Sequence, residues 1–250
     1  MRYKALFLDV DGTLVFHGLD SIPSPRVTRA ILACERAGIS VSLATSRPPR
    51  SVQKVLSYLQ LSGYCVLASG AQIYDPRAKK VIIEQLFPKS AMTRIIRVAD
   101  ESQVQVSIYD GTKEFFYDGI HPPKKIVGMW FPELTPEALQ IIMKKLVGIS
   151  GISLHRMDAW DRKFESLDIV NEHASKLHGI VEVAKLLGVK TQEIIGVGDG
   201  YNDFPLLMAS GLKIAMGNAV PELKAIADFV APTVEEDGVA TVIEKFVLGR

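Results

Sequence analysis

The sequence predicts an α/β protein in which a doubly wound parallel sheet is interrupted by an inserted α+β domain. Three observations carry this expectation. Apolar strand-like runs alternate with amphipathic helical stretches at both ends of the 250-residue chain, the pattern of parallel βαβ units. Between them the alternation gives way to short strand-like segments that pair most readily as antiparallel neighbours. The first apolar run ends in two carboxylates one residue apart, Asp9 and Asp11, at the kind of strand end where open α/β sheets bind ligands.

The first strand is expected over residues 3–10, whose centre is Leu6-Phe7-Leu8. Pro25 suits a first helical turn and opens a helix over 25–37. A strand over 39–45, a helix over 50–59 and a strand over 64–69 complete the first alternating stretch. After the hairpin-like Ile73-Tyr74-Asp75-Pro76-Arg77-Ala78, a helix near 90–102 precedes strand-like segments at 104–109, 114–117 and 125–131. A helix near 136–147 follows, then segments at 152–156 and 164–170. Alternation resumes with a helix over 177–187, a strand over 193–198, a helix over 202–209, a strand over 212–216, and helices over 220–227 and 239–248. Residues 1–83 and 173–250 are therefore expected to form one Rossmann-like core, with residues 84–172 inserted and linkers near Ile83 and Glu172. No internal repeat or low-complexity segment interrupts this plan.

With 48% hydrophobic and 23% charged residues the chain can bury a large core. Its 29 basic and 28 acidic residues nearly cancel, and basic residues run no further than pairs such as Lys79-Lys80, Lys124-Lys125 and Lys144-Lys145. Nucleic acid is not an expected partner. Asp9 and Asp11 break the first apolar run before it reaches a signal-peptide core, and no run of about 18 uncharged apolar residues occurs. A cytoplasmic protein with no membrane partner is expected. Cys34 in a helix and Cys65 in a strand read as reduced, buried side chains.

Side chains alternate along a strand, so Asp9 and Asp11 are expected to project the same way. Like charges held that close repel unless a cation or a shared proton intervenes. A divalent metal, with one carboxylate free for covalent chemistry and its neighbour free for proton transfer, satisfies both, although acidic residues after a strand also serve as caps and turn formers. The second strand ends in Thr45-Ser46-Arg47-Pro48-Pro49, where a hydroxyl pair before a helix start suits a phosphate. Ser46 alternatively caps that helix, and Arg47 is either a surface charge or a second phosphate contact. Gly198-Asp199-Gly200-Tyr201-Asn202-Asp203 supplies a second acidic loop at a strand end. Asn202 or Asp203 fits a helix cap there, while Asp199 fits a metal. Such hard oxygen ligands suit Mg²⁺. No His/Cys grouping suggests zinc, and His173 and His178 read as solvent-facing or local contacts.

Asp9-Val10-Asp11-Gly12-Thr13, Thr45, a lysine before a helix and Gly198 through Asp203 resemble, in order and across the whole chain, the four motifs of the haloacid dehalogenase superfamily. The insertion after the second motif, together with Met216-Gly217-Asn218-Ala219 and Glu236-Asp237-Gly238-Val239, is similar to the Cof-type sugar-phosphatase branch. That branch usually has glycine after the motif-two threonine and Asn-Gly-Ala after the third strand; this chain has Ser46 and Ser69-Gly70-Ala71. The motif lysine is placed at Lys176, followed by Leu177-His178-Gly179, with Lys163 as the competitor.

The resemblance implies a Mg²⁺-dependent phosphatase acting on a small phosphorylated metabolite, hexose phosphates first. Asp9 would be the nucleophile and Asp11 the acid and base. The metal would be held by Asp9, the Asp11 carbonyl and Asp199, with Asp203 a further ligand or the partner of Lys176. Thr45, Ser46, Lys176 and Asn202 would bind phosphate, and Arg47, Ser69 and Gly70 would lie within reach of substrate. The insertion would act as a cap that selects substrate through segments 109–121 and 126–131. A phosphomutase or phosphotransferase of the same fold and a noncatalytic phosphate-ligand-binding protein are the alternatives. A nucleotide-binding oxidoreductase is disfavoured because no G-x-G-x-x-G follows the first strand. A monomer or homodimer is expected.

Overall fold

A computed structural model describes residues 2–16, 18, 21–119, 123–159 and 163–249, with the backbone alone at Asp158. In chain order the strands are β1 (Ala5–Leu8), β2 (Ser40–Leu43), β3 (Cys65–Leu67), β4 (Gln72–Asp75), β5 (Lys80–Glu84), β6 (Ser107–Tyr109), β7 (Glu114–Phe116), β8 (Gly128–Leu134), β9 (Ile152–Asp158), β10 (Glu165–Asn171), β11 (Ile194–Gly198), β12 (Leu212–Ala215) and β13 (Phe229–Val230). The helices are α1 (Pro25–Arg36), α2 (Pro49–Leu59), α3 (Lys89–Ser102), α4 (Pro136–Leu146), α5 (Lys176–Leu187), α6 (Phe204–Met208), α7 (Pro221–Ile226) and α8 (Gly238–Phe246). They fall into two compact units, Met1–Ile83 with Lys176–Arg250, and Glu84–Ser175.

The first unit is built on a five-stranded parallel sheet in the order β13-β12-β11-β1-β2. Its inner strand β1 lies between β11 and β2 and has all four residues fully buried, each large apolar side chain contributing about 1.5–3 kcal/mol on removal from water. In α1, Ser24 Oγ accepts from Val27 N, Pro25 occupies the first turn, and Val27, Ala30, Ile31 and Cys34 form the buried stripe. In α5 the bare Gly179 permits close packing: a Cβ there would stand 2.4 Å from Val66 Cγ1.

Three local features depart from expectation. Among the described residues the third strand pairs with the parallel sheet through a bridge between Ala44 and Val66, with Thr45 N donating to Val66 O, and turns back antiparallel onto β4 in the set β3-β4-β5. Asp75 Oδ1 closes that hairpin by accepting from Arg77 N and Ala78 N, which gives the half-exposed β5 its partner. The helix expected over 202–209 is a 3-10 turn, Tyr201–Asp203, followed by the short α6. The edge strand β13, only two residues long, is too brief to leave a periodic signal.

The second unit is an antiparallel sheet in the order β7-β6-β8-β10-β9, with α3 and α4 beside it. Ile95, Ile142, Ile108, Met129, Phe131, Leu167 and Ile169 make its apolar core. His173, Ala174 and Ser175, expected with the first unit, lie in this one. Asn171 explains the difference by accepting from His173 N at Oδ1 and from Ala174 N at its carbonyl, which continues the β10 end into a tight turn. Among the described residues no helix is long and apolar enough to cross a membrane.

Candidate active site

The carboxyl ends of β1, β2 and β11 gather the polar side chains of the first unit. Asp9 follows β1, and its backbone N donates to Val197 O on β11 at 3.0 Å. Asp199 and Asp203 follow β11. One oxygen from each of these three residues lies within 4.8 Å of the other two. Lys176, at the first position of α5 and only 2% exposed, donates to Asp9 Oδ1 at 2.6 Å and to Asp203 Oδ1 at 2.5 Å. Its competitor Lys163 lies in the other unit and is exposed.

Asp203 is completed by the backbone: its Oδ2 accepts from Asp199 N at 2.8 Å and Gly200 N at 3.0 Å. Both oxygens are thus committed to holding the loop and Lys176. Asp203 does stand at the cap position of α6, but its side chain makes no bond to that helix and instead closes the preceding 3-10 turn by accepting from Gly200 N. Asp199 points elsewhere, with Thr13 Oγ1 donating to its Oδ1 at 2.8 Å. Gly12, at φ +77°, makes room for it, because a Cβ there would come within 2.1 Å of Asp199 Oδ2.

Asp11 stands two residues beyond Asp9. The strand ends at Leu8, and residues 10–15 close a tight loop through Gly12 N to Val15 O and Val15 N to Val10 O. The Asp11 carboxylate lies outside the three-acid group and pairs with Arg47, yet is near enough to Asp9 to help raise its pKa. Arg47 Nε donates to Asp11 Oδ2 at 2.7 Å and Nη2 to Oδ1 at 2.5 Å, while Gly18 O and Ser51 O take further guanidinium hydrogens. Arg47 is 6% exposed, so it is not a surface charge.

Thr45 and Ser46 stand at the end of β2. Thr45 Oγ1 accepts from Arg47 N at 3.2 Å. Ser46 does not cap α2, whose cap position is Pro48; its Oγ accepts instead from Asn202 Nδ2 at 3.0 Å and Ser69 Oγ at 2.9 Å. Ala68 and Ser69 hold left-handed backbone at φ 49° and 56°, followed by Gly70 at 98°, a strained run of a kind that clusters at functional sites. Ala68 N and Ser69 N donate to the carbonyls of Arg47 and Thr45. Thr45, Ser46, Asn202, Ser69 and Gly70 thus belong to adjoining loops, with Ser46 as their shared acceptor.

Electrostatically the site is an acid cluster around one ammonium. Burial first, then Asp203, pushes the Asp9 carboxyl up to about 7, against the pull of Lys176. Burial and the neighbouring Asp9 and Asp203 likewise hold Asp199 well above the usual carboxylate range. Burial opposes the Lys176 ammonium, but Asp203 and Asp9 more than offset it and raise its pKa. Three acids around one lysine leave surplus negative charge. A Mg²⁺ ion, a hard cation that takes one or two carboxylates and keeps several waters, fits that donor set. Each of Asp9, Asp199 and Asp203 offers an oxygen there, with Asp203 Oδ2 already accepting two amides.

A pH dependence follows. Folding raises the Asp9 pKa above its ordinary 3.8 to about 7, so the native state binds the proton more tightly and metal-free stability falls as pH rises across that interval. Mg²⁺ favours the ionised form. Thermal melts are expected to show a Mg²⁺-induced rise in Tm that is larger at pH 7.5 than at pH 5.5; an equal rise at both would contradict this electrostatic account.

Elsewhere, His178 is exposed and His173 sits beside Glu172 at 3.7 Å. Cys34 and Cys65 are free and buried, and burial pushes both thiols up to about 12. Of the expected substrate-selecting segments, residues 120–122 lie outside the described residues, while Ile126, Met129 and Phe131 face the inserted unit's own core. Thr13 and Asn218, which also contacts Asp199, were given no role by sequence reasoning; the signal available was their place inside motifs already noted.

The sequence pattern of the family described as haloacid dehalogenase-like hydrolase matches residues 6–128 and 114–243. A Bacillus subtilis protein named "Putative phosphatase YkrA" is 30% identical over 265 residues, covering 99% of each chain. The solved structure of BT1666 from Bacteroides thetaiotaomicron, a phosphatase of this superfamily, is 28% identical with a TM-score of 0.82, covering 98% of this chain and 95% of that one. A subclass IIB sugar phosphatase, BT4131, shares the fold at a TM-score of 0.80 and 24% identity, covering 97% of this chain and 98% of that one.

Proposed function

We propose that this chain, which belongs to the haloacid dehalogenase-like hydrolases and is a phosphatase, hydrolyses small phosphate monoesters, sugar phosphates foremost, through a covalent phosphate on Asp9 with Mg²⁺ as cofactor. The observation that carries the reading is the buried Lys176 ammonium bridging Asp9 and Asp203 beside Asp199. Asp9 Oδ1 is occupied by Lys176, so attack is assigned to Oδ2. It forms the new bond to phosphorus as the ester P–O bond breaks, and the departing alkoxide takes a proton from Asp11. Water then attacks the phosphorus, giving its proton to Asp11, and Asp9 leaves as the carboxylate with inorganic phosphate as product. Mg²⁺ would be held by Asp9, the Asp11 carbonyl and Asp199, with Asp203 a further ligand or the partner of Lys176, and would lower the repulsion between the attacking carboxylate and the phosphate dianion.

Lys176, Thr45, Asn202 and the Ser46 hydroxyl are suited to the nonbridging oxygens, donors already fixed before charge develops. Because both Asp11 oxygens accept from Arg47, proton delivery requires one of them to exchange the guanidinium for the leaving oxygen. The same pair fixes the direction of the Asp11 carboxylate, so Arg47→Gln is expected to cost about 2 kcal/mol of stability and, by letting Asp11 turn away from the leaving oxygen, to slow alkyl phosphates more than an aryl phosphate whose leaving group needs no proton. Equal slowing of both classes would refute the link to Asp11.

Phosphate release from sugar phosphates, nucleotides and an aryl phosphate, with and without Mg²⁺, tests the reading. Mg²⁺-dependent release with sugar phosphates preferred is expected. Phosphoryl transfer to a second sugar without free phosphate would replace it.

A further inference from the structure

Asn218 lies in the turn after β12, in the Met216-Gly217-Asn218-Ala219 stretch that no step above uses. Its Oδ1 accepts from Val234 N at 3.0 Å. Its Nδ2 donates to Gly12 O at 2.8 Å and reaches Asp199 Oδ2 at 3.3 Å. The Val234 amide settles which end of the side chain is oxygen, since an N–H must meet an acceptor; the amino end therefore faces Gly12 and Asp199. One side chain thus joins the loop after β1, the loop after β11 and the segment leading to α8.

The turn that carries Asn218 is itself fastened. Met216 N donates to Gly198 O, Gly217 N to Pro232 O, Val220 N to Asp199 O, and Lys224 Nζ to Gly217 O at 2.6 Å. Gly217 lets the turn lie against the chain at Thr233, where a Cβ would come within 2.8 Å of the Thr233 amide. With Thr13 Oγ1 on Oδ1 and Asn218 Nδ2 on Oδ2, each Asp199 oxygen receives one donor and keeps a further lone pair.

We propose that Asn218 is a positioning residue for Mg²⁺ binding: it fixes the rotation of the Asp199 carboxylate and its height relative to the loop after β1. The inference rests on the reading of Asp199 as a metal ligand. An amide is the group the place requires, with two hydrogens for two acceptors and one oxygen for one donor. Asn218→Asp keeps the size but sets a carboxylate oxygen against Gly12 O and Asp199 Oδ2, and Asn218→Ala removes the contacts.

Isothermal titration of the full chain with Mg²⁺ alone, beside metal-free thermal melts, tests this. Removing an outer partner of a metal ligand typically weakens affinity about 10–100-fold, and both variants are expected to fall in that range, Asn218→Asp the further. Asn218→Ser, which keeps a small donor, is the variant to use if either fails to fold. A lowered metal-free Tm with a wild-type Mg²⁺ dissociation constant would show a purely structural residue and overturn the proposal. Asp199→Asn run alongside separates the two levels. If it still binds Mg²⁺ like the wild type, the metal reading falls and the role of Asn218 with it. If it loses binding while the Asn218 variants keep theirs, only the role of Asn218 falls.

Discussion

Asp9→Asn is expected to reduce phosphate release by at least about a thousandfold, the scale seen when a covalent nucleophile is removed, while leaving the protein folded. The two halves of this expectation have different physical origins. The amide is nearly the same shape and its oxygen still accepts from Lys176, which in the native protein bonds Asp9 Oδ1 at 2.6 Å. It cannot form the acyl phosphate, because its nitrogen has no free lone pair for attack. Stability moves the other way. Burial and the neighbouring Asp203 already push the Asp9 carboxyl up to about 7, so its ionised form is unfavourable at neutral pH without metal. The neutral variant is expected to melt no lower than the wild type in chelator at pH 7.5, and to show a smaller Mg²⁺-induced rise. Activity assays with circular dichroism melts check both; loss of activity with gross unfolding would leave the nucleophile unsupported.

Lys176→Met is expected to damage both folding and catalysis. Met matches the length of the buried stem but removes the one ammonium among three carboxylates. Removing one partner of a buried ion pair typically costs 3–5 kcal/mol, because the remaining charge stays desolvated. For a chain of this size, about 4 kcal/mol corresponds to a fall in Tm of roughly 10 °C. The sign with pH is fixed by the same charges. Without Lys176 the Asp9 carboxylate, already raised to about 7 by burial and Asp203, is less stable when ionised, so its protonation relieves the defect: the Tm deficit should shrink as pH is lowered from 7.5 to 5.5. A deficit independent of pH would indicate lost packing in place of lost charge. Catalysis should fall by about a hundredfold or more even at low pH, since a fixed donor to the phosphoryl oxygens is gone.

How far the sequence discloses this site depends on the range of the interactions involved. Asp9, Lys176 and Asp203 are far apart in the chain, yet their meeting was legible: the two acids follow strands of a regular βαβ alternation, whose ends converge, and Lys176 was placed by the motif order of the family the sequence resembles. Asp199 was legible for the same reason. The partner of Asp11 was not, because residues 10–15 close a loop that strand periodicity does not describe, and the buried Arg47 reaches both Asp11 oxygens from the end of β2. Ser46 shows a similar limit. Local chemistry suggested a helix cap, whereas its hydroxyl serves Asn202 and Ser69 from other loops. The 3-10 turn at Tyr201–Asp203 was hidden because Asp203 bonds back to the amides of Asp199 and Gly200, a local competition that helical periodicity does not report. In the inserted unit, the order of helices and strands followed the sequence, but β8 begins at Gly128 and its Met129 and Phe131 fill the core, so an apolar segment expected to select substrate is partly structural.

The most direct test of the central claim is an acid-quenched single turnover with a phosphate ester radiolabelled on phosphorus, followed by peptide mapping. The account predicts transient label on the peptide containing Asp9, discharged by hydroxylamine as an acyl phosphate should be, and absent from Asp9→Asn. Phosphate released at the wild-type rate with no label passing through the protein, or label resting on another residue, would contradict it.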